Sequence, residues 1–161
     1  MRRITKLTVY QCLAIFILTI ATMSFRGPNM DSQVECGGKI SDGYYRINVF
    51  NIKRGIKYKF KNAAKDAVHA FLFRGWPSAL NCLEHKPLIN TPDEKKLFDE
   101  KCAGFFSKEF LLYVNSASEH PVTVQQKGSV QCKVYTLNIA GDNLRKFLEE
   151  KGVIRKLNTG F

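Results

Sequence analysis

The stretch VTVQQKGSVQCKVY, residues 122–135, decides the fold class. In each half of the stretch, valine or cysteine alternates with polar residues, which is the pattern of a half-buried strand. The turn at residues 127–129 separates the two halves, so we expect them to pair as antiparallel neighbours. The apolar run Phe110–Val114 precedes them and predicts a third, central strand. Together these segments indicate an antiparallel meander.

The residues before the meander predict the rest of a mixed fold. Cys36 is expected on or beside a first short strand that ends at Gly37-Gly38. Apolar side chains recur at helical spacing over residues 43–58, which predicts a helix. The apolar run at residues 68–73 predicts a strand. We therefore predict an α+β fold, with one helix packed on a four- to five-stranded antiparallel sheet. The apolar face of the predicted helix is formed by Tyr45, Val49, Ile52 and Ile56.

The remaining segments are predicted to lie outside this sheet. Residues 86–102 are polar and predict a long loop with one helical turn at 93–97. From Asp142 onward, an extra C-terminal helix is predicted, with an apolar face and a glycine stop at Gly152. The chain is accordingly divided into a signal peptide (1–24), a leader (25–35), a main domain (36–140) and a C-terminal helical extension (141–161). The face of that extra helix is formed by Leu144, Phe147 and Leu148.

The N-terminus predicts export. Three basic residues precede an uncharged apolar stretch, and Thr22-Met23-Ser24 supplies small residues for cleavage. These are the three parts of a secretory signal peptide. Its removal takes away three basic residues and no acidic one, so the net charge falls from +11 to +8. A composition of 45% hydrophobic and 12% aromatic residues excludes disordered, collagen-like and coiled-coil classes.

Signal removal also changes the cysteine count. Cys12 leaves with the signal, and the count falls from five to four. An even count in an exported protein of this size indicates two disulfides, with three possible connectivities. The cysteines lack the spacing of a zinc site, so no metal and no cofactor is expected. The four remaining cysteines are Cys36, Cys82, Cys102 and Cys132.

The order of several short motifs resembles a known family. Cys36-Gly37-Gly38, the segment Ile52–Tyr58, Gly75-Trp76-Pro77 and a final strand carrying Cys132 follow one another in the chain. In this order they resemble the powdery-mildew ribonuclease-like secreted effectors, which in turn resemble the guanyl-specific fungal ribonucleases. The resemblance implies a microbial ribonuclease-like fold and a bridge between Cys36 and Cys132. It also implies Cys82 and Cys102 as the second pair.

The resemblance also implies where catalytic residues should stand. Cleavage through a 2′,3′-cyclic phosphate needs a base, an acid and cations for the phosphate. At the expected Tyr-Pro-His segment this chain has Trp76-Pro77-Ser78, and at the expected acid histidine it has Gln126. Serine and glutamine cannot exchange a proton near neutral pH. These degenerate positions predict that the protein is not an enzyme but a pseudo-ribonuclease.

The three histidines present do not rebuild that site in sequence. His69 falls in the predicted apolar strand and is expected to be an ordinary sheet residue. His85 and His120 fall in predicted loops, where solvated, non-catalytic roles are expected. Glu84 and Glu109 remain plausible carboxylates. An active ribonuclease would require one of them to converge with a histidine near Trp76.

Basic residues indicate a second kind of function. Two clusters are separate in the chain, and the first contains no acidic residue. Lysine and arginine side chains bind phosphates by releasing counterions, and exposed aromatics such as Tyr58 and Phe60 can stack on bases. The alternative is a solvated basic surface. The first cluster holds the RNA-binding candidates Lys53, Arg54, Lys57, Lys59, Lys61 and Lys65; the second holds Arg145, Lys146, Lys151, Arg155 and Lys156.

The N-terminus predicts secretion, and the resemblance implies an effector with a non-catalytic fold that is delivered into the host plant cell. There it is expected to bind RNA, ribosomes or host proteins, and the resemblance implies recognition by an intracellular immune receptor in an avirulence role. A monomer is expected, without stable membrane insertion of the mature chain. Two alternatives remain: an active secreted ribonuclease with a rearranged site, and a cationic protein that acts on membranes through the helix at 142–156.

Overall fold

The computed structural model of the chain describes residues 32–41, 43–78, 82, 84–125 and 129–157. Three short 3-10 segments join the larger elements, at Gly55–Lys57, Phe105–Ser107 and Glu109–Tyr113. The described strands are β1 (Gln33–Ser41), β2 (Tyr44–Phe50), β3 (Val114–Gln125) and β4 (Ser129–Ala140). The described helices are α1 (Phe60–Phe73), α2 (Pro92–Lys101) and α3 (Gly141–Glu150).

Within the described residues, the four strands form one antiparallel sheet in the order β1-β2-β4-β3. The β1–β2 and β3–β4 pairs join strands that are consecutive in the chain. The β2–β4 pair is non-local and sets Ile47 opposite Leu137. The predicted α+β class, with an antiparallel sheet and a C-terminal helix, is confirmed.

One face of the sheet carries the core. In β2, Ile47 and Val49 are fully buried, while Asn48 between them is only partly buried. Their β4 partners Leu137 and Tyr135 are buried as well. Helix α1 packs on this face through a stripe in which small alanines allow a close approach of helix and sheet. The buried residues of α1 are Ala63, Ala64, Ala67, Val68, Ala70, Phe71 and Leu72.

The C-terminal helix joins the same core. Leu144 and Leu148 of α3 are fully buried, and Phe147 packs beside them with its ring 5.5 Å from that of Phe105. Gly152 follows the helix with φ of 64°, the left-handed conformation that suits glycine after a helix end. The predicted apolar face of this helix is therefore confirmed, and it is occupied by intramolecular contacts.

The predicted helix over 43–58 is wrong. Residues 44–50 form β2, and the chain then turns through Asn51–Arg54. The alternation of Tyr45, Ile47 and Val49 is the pattern of this strand. It stops after Phe50 because the strand ends there. Ile56, which was assigned to the helix face, is 60% exposed.

Two predicted strands are also wrong. The run at 68–73 is the C-terminal half of α1, because a short apolar segment has no periodicity that separates a buried helix from a strand. The run Phe110–Val114 belongs largely to a 3-10 segment. Its apolar character does not mean burial on both sides, since Phe110 is buried whereas Leu112 is 80% exposed.

Helix α2 is longer than the single turn predicted at 93–97. It starts with a capping box: the Thr91 hydroxyl accepts a hydrogen bond from the Glu94 amide, and the Glu94 carboxylate accepts one from the Thr91 amide. Pro92 occupies the first turn, where proline is well tolerated. The sequence Thr-Pro-Asp-Glu carries this start signal, and its polar composition concealed the helix.

The predicted disulfide pairing is wrong. Cys36 is bonded to Cys82 with a Cα–Cα distance of 6.1 Å, while Cys102 and Cys132 are buried free thiols. Cys36 lies on β1 at the level of Leu137 in β4, with β2 between the two strands. Cys132 is five residues further along β4, roughly 17 Å away along the strand, which is beyond the reach of a disulfide. Burial raises the pKa of both free thiols.

Candidate functional site

A groove of about 700 Å³ opens beside the edge strand β1. One wall is the start of that strand, and the other is formed by the chain after α1 and the chain before α2. Acidic and basic side chains both reach it: Glu35 and Glu84, and Arg74 and Lys86. The walls are residues 32–35, 74–77 and 84–87.

Backbone pairing fixes the second wall. Trp76 and His85 form an isolated antiparallel bridge in which each amide donates to the other's carbonyl oxygen at 3.0 Å. Gly75 has φ of 68°, and a side chain there would collide with the His85 carbonyl oxygen. The Cys36–Cys82 disulfide ties this wall to β1, and the Arg74 guanidinium donates to the Ser32 carbonyl oxygen at 3.4 Å.

The His85 ring is held between two aromatic rings. Its centroid lies 4.1 Å from that of Phe71 and 4.4 Å from that of Trp76, both in stacked geometry. His85 Nε2 is 3.1 Å from the Phe71 carbonyl oxygen. Because a carbonyl only accepts, Nε2 must carry the proton. Burial lowers the pKa of His85, so the imidazole is neutral and its Nδ1 is an acceptor.

The degenerate catalytic positions fall in different surroundings. Trp76 is only 5% exposed and packs against His85 and Phe71, so it is a packing residue of the groove wall rather than a surface for stacking. Ser78 is exposed near the groove. Gln126 lies outside the described residues.

The other candidate groups are not part of the groove. His69 lies on α1, not on a strand, with its ring 4.9 Å from that of Phe73. Burial and nearby cations lower its pKa to about 4. His120 is exposed on β3 rather than in a loop. Glu109 begins the 3-10 segment at 109–113. Of the predicted histidine and carboxylate candidates, the groove therefore unites His85 and Glu84.

Residues 53–65 form what we call the basic segment. It runs from the turn after β2, through the 3-10 segment at 55–57, into the first two turns of α1. Five of its cations are exposed, and Lys65 is half-buried with its Nζ 5.8 Å above the Phe106 ring. Two ion pairs of the described residues, Lys133–Glu119 and Arg145–Glu149, lie outside the segment.

The aromatic residues of the basic segment face inward. Tyr58 is fully buried, and its hydroxyl donates to Asp66 Oδ2 at 2.6 Å. Burial raises the pKa of Tyr58, so this hydroxyl keeps its proton. Phe60 is half-buried, with its ring 6.3 Å from that of Tyr135. Tyr58 could be expected either to stack on bases or to lie in the core, and the structure shows it as a core residue.

In the second basic cluster, two cations have identified partners. Arg145 pairs with Glu149 at 3.0 Å, and Lys151 lies 5.7 Å above the Phe147 ring. The apolar face that a membrane-active helix needs is buried in the core in α3. Among the described residues, no helix is long and apolar enough to cross a bilayer. No group of residues in the described ranges has the composition and geometry of a metal site.

Sequence reasoning missed Arg74, Glu35 and Lys86 as neighbours. Glu35 and Arg74 are far apart in the chain, and both line the groove because the disulfide and the Trp76–His85 bridge hold one segment against β1. The correct Cys36–Cys82 pairing would have brought these segments together, but three pairings were open.

Comparisons with protein-family models, curated proteins and solved structures give no match.

Proposed function

We propose that this protein is a secreted effector that acts in the host plant cell by binding RNA, without catalysis. The observation that carries the proposal is the basic segment: six cations within thirteen residues that contain no acid, five of them exposed. Such a surface attracts phosphate backbones and gives salt-dependent affinity with little sequence preference. The resemblance stated above adds the ribonuclease-like scaffold and recognition by an intracellular immune receptor to the proposal, and the N-terminal residues add the export signal.

The basic segment is expected to bind RNA in proportion to its charge. We expect the chain from residue 25 to bind a labelled RNA of mixed sequence and to lose roughly 10³-fold in affinity between about 50 and 200 mM salt if all six cations contact phosphate. Lys57→Ala/Lys61→Ala removes two of these contacts. We expect that variant to bind about tenfold more weakly, with a salt slope lower by about 1.5. Fluorescence anisotropy across a salt series measures both quantities.

The matched control is Lys95→Ala/Lys96→Ala on α2. Both lysines are exposed, so this variant has the same change in net charge. Four carboxylates share that helix, which weakens its attraction for phosphate. The control is expected to bind RNA like the parent. Equal losses in the two variants would show an effect of net charge alone, and would remove the basic segment as the binding surface. These carboxylates are Asp93, Glu94, Asp99 and Glu100.

The groove favours a second candidate function, an active ribonuclease with a rearranged site. Glu84 and His85 line one groove with Arg74, and the neutral His85 has an acceptor nitrogen at Nδ1. A carboxylate, an imidazole and a guanidinium can supply the base, the acid and the cation that are needed when a 2′-hydroxyl attacks the phosphate and the 5′-oxygen leaves. Against it, His85 is confined between two rings and its Nε2 is used by the Phe71 carbonyl oxygen.

The two candidates differ in a direct assay. The non-catalytic proposal expects no product with a 2′,3′-cyclic phosphate end from the parent protein. If the groove is catalytic, Glu84→Gln is expected to lower cleavage by 10²-fold or more, since a general acid or base contributes about that much. Glu84 is exposed, so this variant should keep its fold, which circular dichroism checks. Cleavage that survives Glu84→Gln and His85→Asn unchanged would be assigned to a contaminant.

A further inference from the structure

We propose that the basic segment contacts the phosphate backbone of a nucleic-acid duplex, and does not bind the bases of a single strand. This inference rests on the proposed function and names its substrate class. The inference follows from the exposure of the segment's side chains. Most of its cations are exposed, whereas its two aromatic rings pack against the core.

Sequence-tolerant binding of single strands needs aromatic faces on which successive bases can stack. No aromatic ring of the basic segment is exposed. The Tyr58 ring is fully buried, its hydroxyl is engaged by Asp66, and its carbonyl oxygen accepts from the Tyr135 hydroxyl at 3.0 Å. Phe60 packs on Tyr135. The exposed apolar residue of the segment is Ile56, an aliphatic side chain without a π-face.

Exposed aromatic surface does occur elsewhere, but at the wrong place. Tyr44 is 40% exposed at the start of β2, whereas the basic segment follows the end of that strand. Seven residues of β-strand separate the two ends by about 20 Å. Among the described residues Tyr44 is the exposed aromatic side chain, so a single strand held on the lysines would have no fully exposed ring to stack on close by.

The cations follow one another closely along the chain. From Lys59 to Lys65 the chain advances about 9 Å along the start of α1. A duplex carries about one negative charge per 1.7 Å of its axis, so this length faces about five phosphate charges. A duplex presents these charges in a rigid array with its bases already stacked, and thus requires only the cations that the segment exposes. RNA and DNA duplexes share this chemistry.

The test compares three probes of about 20 nucleotides or base pairs, longer than the segment: an RNA duplex, a DNA duplex and a single-stranded RNA. We expect either duplex to bind at least tenfold more tightly than the single strand at equal salt. Exchanging the duplex sequence is expected to change affinity by less than threefold. Lys57→Ala/Lys61→Ala is expected to reduce the duplex salt slope by about 2, whereas Lys95→Ala/Lys96→Ala leaves it unchanged. The RNA and DNA arms show whether the 2′-hydroxyl contributes.

Phe60→Leu tests the aromatic argument directly, because leucine keeps the packing on Tyr135 and removes the π-face. Binding of all probes within twofold of the parent supports duplex-backbone contact. Single-strand affinity that equals duplex affinity, or that falls tenfold in Phe60→Leu, overturns this inference and leaves RNA binding intact. The absence of binding to every probe overturns both this inference and the proposed function.

Discussion

Replacing Cys36 and Cys82 together by serine is expected to lower the free energy of unfolding by about 4 kcal/mol. The bond joins residues 46 apart in sequence. In the chain-entropy model, closing a loop of that length removes about 13 cal/mol/K from the unfolded chain, which amounts to about 4 kcal/mol at 25 °C. A small domain has only about 5–15 kcal/mol of stability in total, so the loss is large. Urea unfolding followed by circular dichroism measures it.

The same experiment discriminates between pairings. A reducing agent is expected to lower the stability of the parent by a similar amount and to leave Cys36→Ser/Cys82→Ser unchanged. Cys102→Ala and Cys132→Ala remove buried thiols and are expected to cost about 1 kcal/mol each, with sensitivity to reduction retained. A Cys132→Ala variant that had lost its response to the reducing agent would contradict the Cys36–Cys82 bond.

The second large effect is a loss of stability in acid that depends on His69. Burial, with Arg74, Lys95 and Lys65 nearby, lowers the pKa of His69 from its ordinary value of 6.5 to about 4. Between these values the unfolded chain binds a proton that the folded chain does not, so stability falls as pH falls. The contribution is fully present above pH 6.5 and is lost toward pH 4. A difference of 2.5 units corresponds to roughly 3 kcal/mol.

His69→Gln removes this titration while keeping a polar side chain of similar length. We expect the parent to lose roughly 3 kcal/mol more than this variant between pH 7 and pH 4, measured by urea unfolding at each pH. His85 contributes in the same direction in both proteins, because burial lowers its pKa as well. His120→Gln, at an exposed site on β3, is expected to behave like the parent. Equal acid sensitivity of His69→Gln and the parent would refute the assignment.

The sequence pattern predicted secondary structure most reliably for elements with one buried face and one exposed face. In β4 and α3, polar and apolar residues separate cleanly, so the 2-residue and 3.6-residue periods could be recognised before the structure was known. In α1 the helical period exists over the whole helix, but the run at 68–73 is too short and too apolar to show it, because Val68, Ala70, Phe71 and Leu72 are all buried. The run at 110–114 failed for the opposite reason, because an exposed leucine at 112 imitates a core position.

The candidate site was predictable only in parts. The basic segment is local in sequence, so its charge could be found without the fold, but the burial of Tyr58 depends on contacts with Asp66 and Tyr135. The groove depends on contacts between distant segments. His85 pairs with Trp76 through a backbone bridge. Glu35 lines the same groove as Arg74 because β1 lies at the edge of the sheet. A single sequence contains no signal for such pairings.

The burial of Cys102 and Cys132 determines which thiols can exchange with the disulfide. Thiol–disulfide exchange requires an accessible thiolate, and burial keeps both Cys102 and Cys132 protonated and shielded. Within the described residues, the folded protein therefore has no accessible thiol that could attack the Cys36–Cys82 disulfide. Cys36 and Cys82 are only half-buried, so external thiols can reach that bond. We expect the Cys36–Cys82 bond to be oxidised outside a cell and reduced in the cytosol. The state of this bond in a recovered molecule would therefore indicate the compartment in which the molecule had last equilibrated.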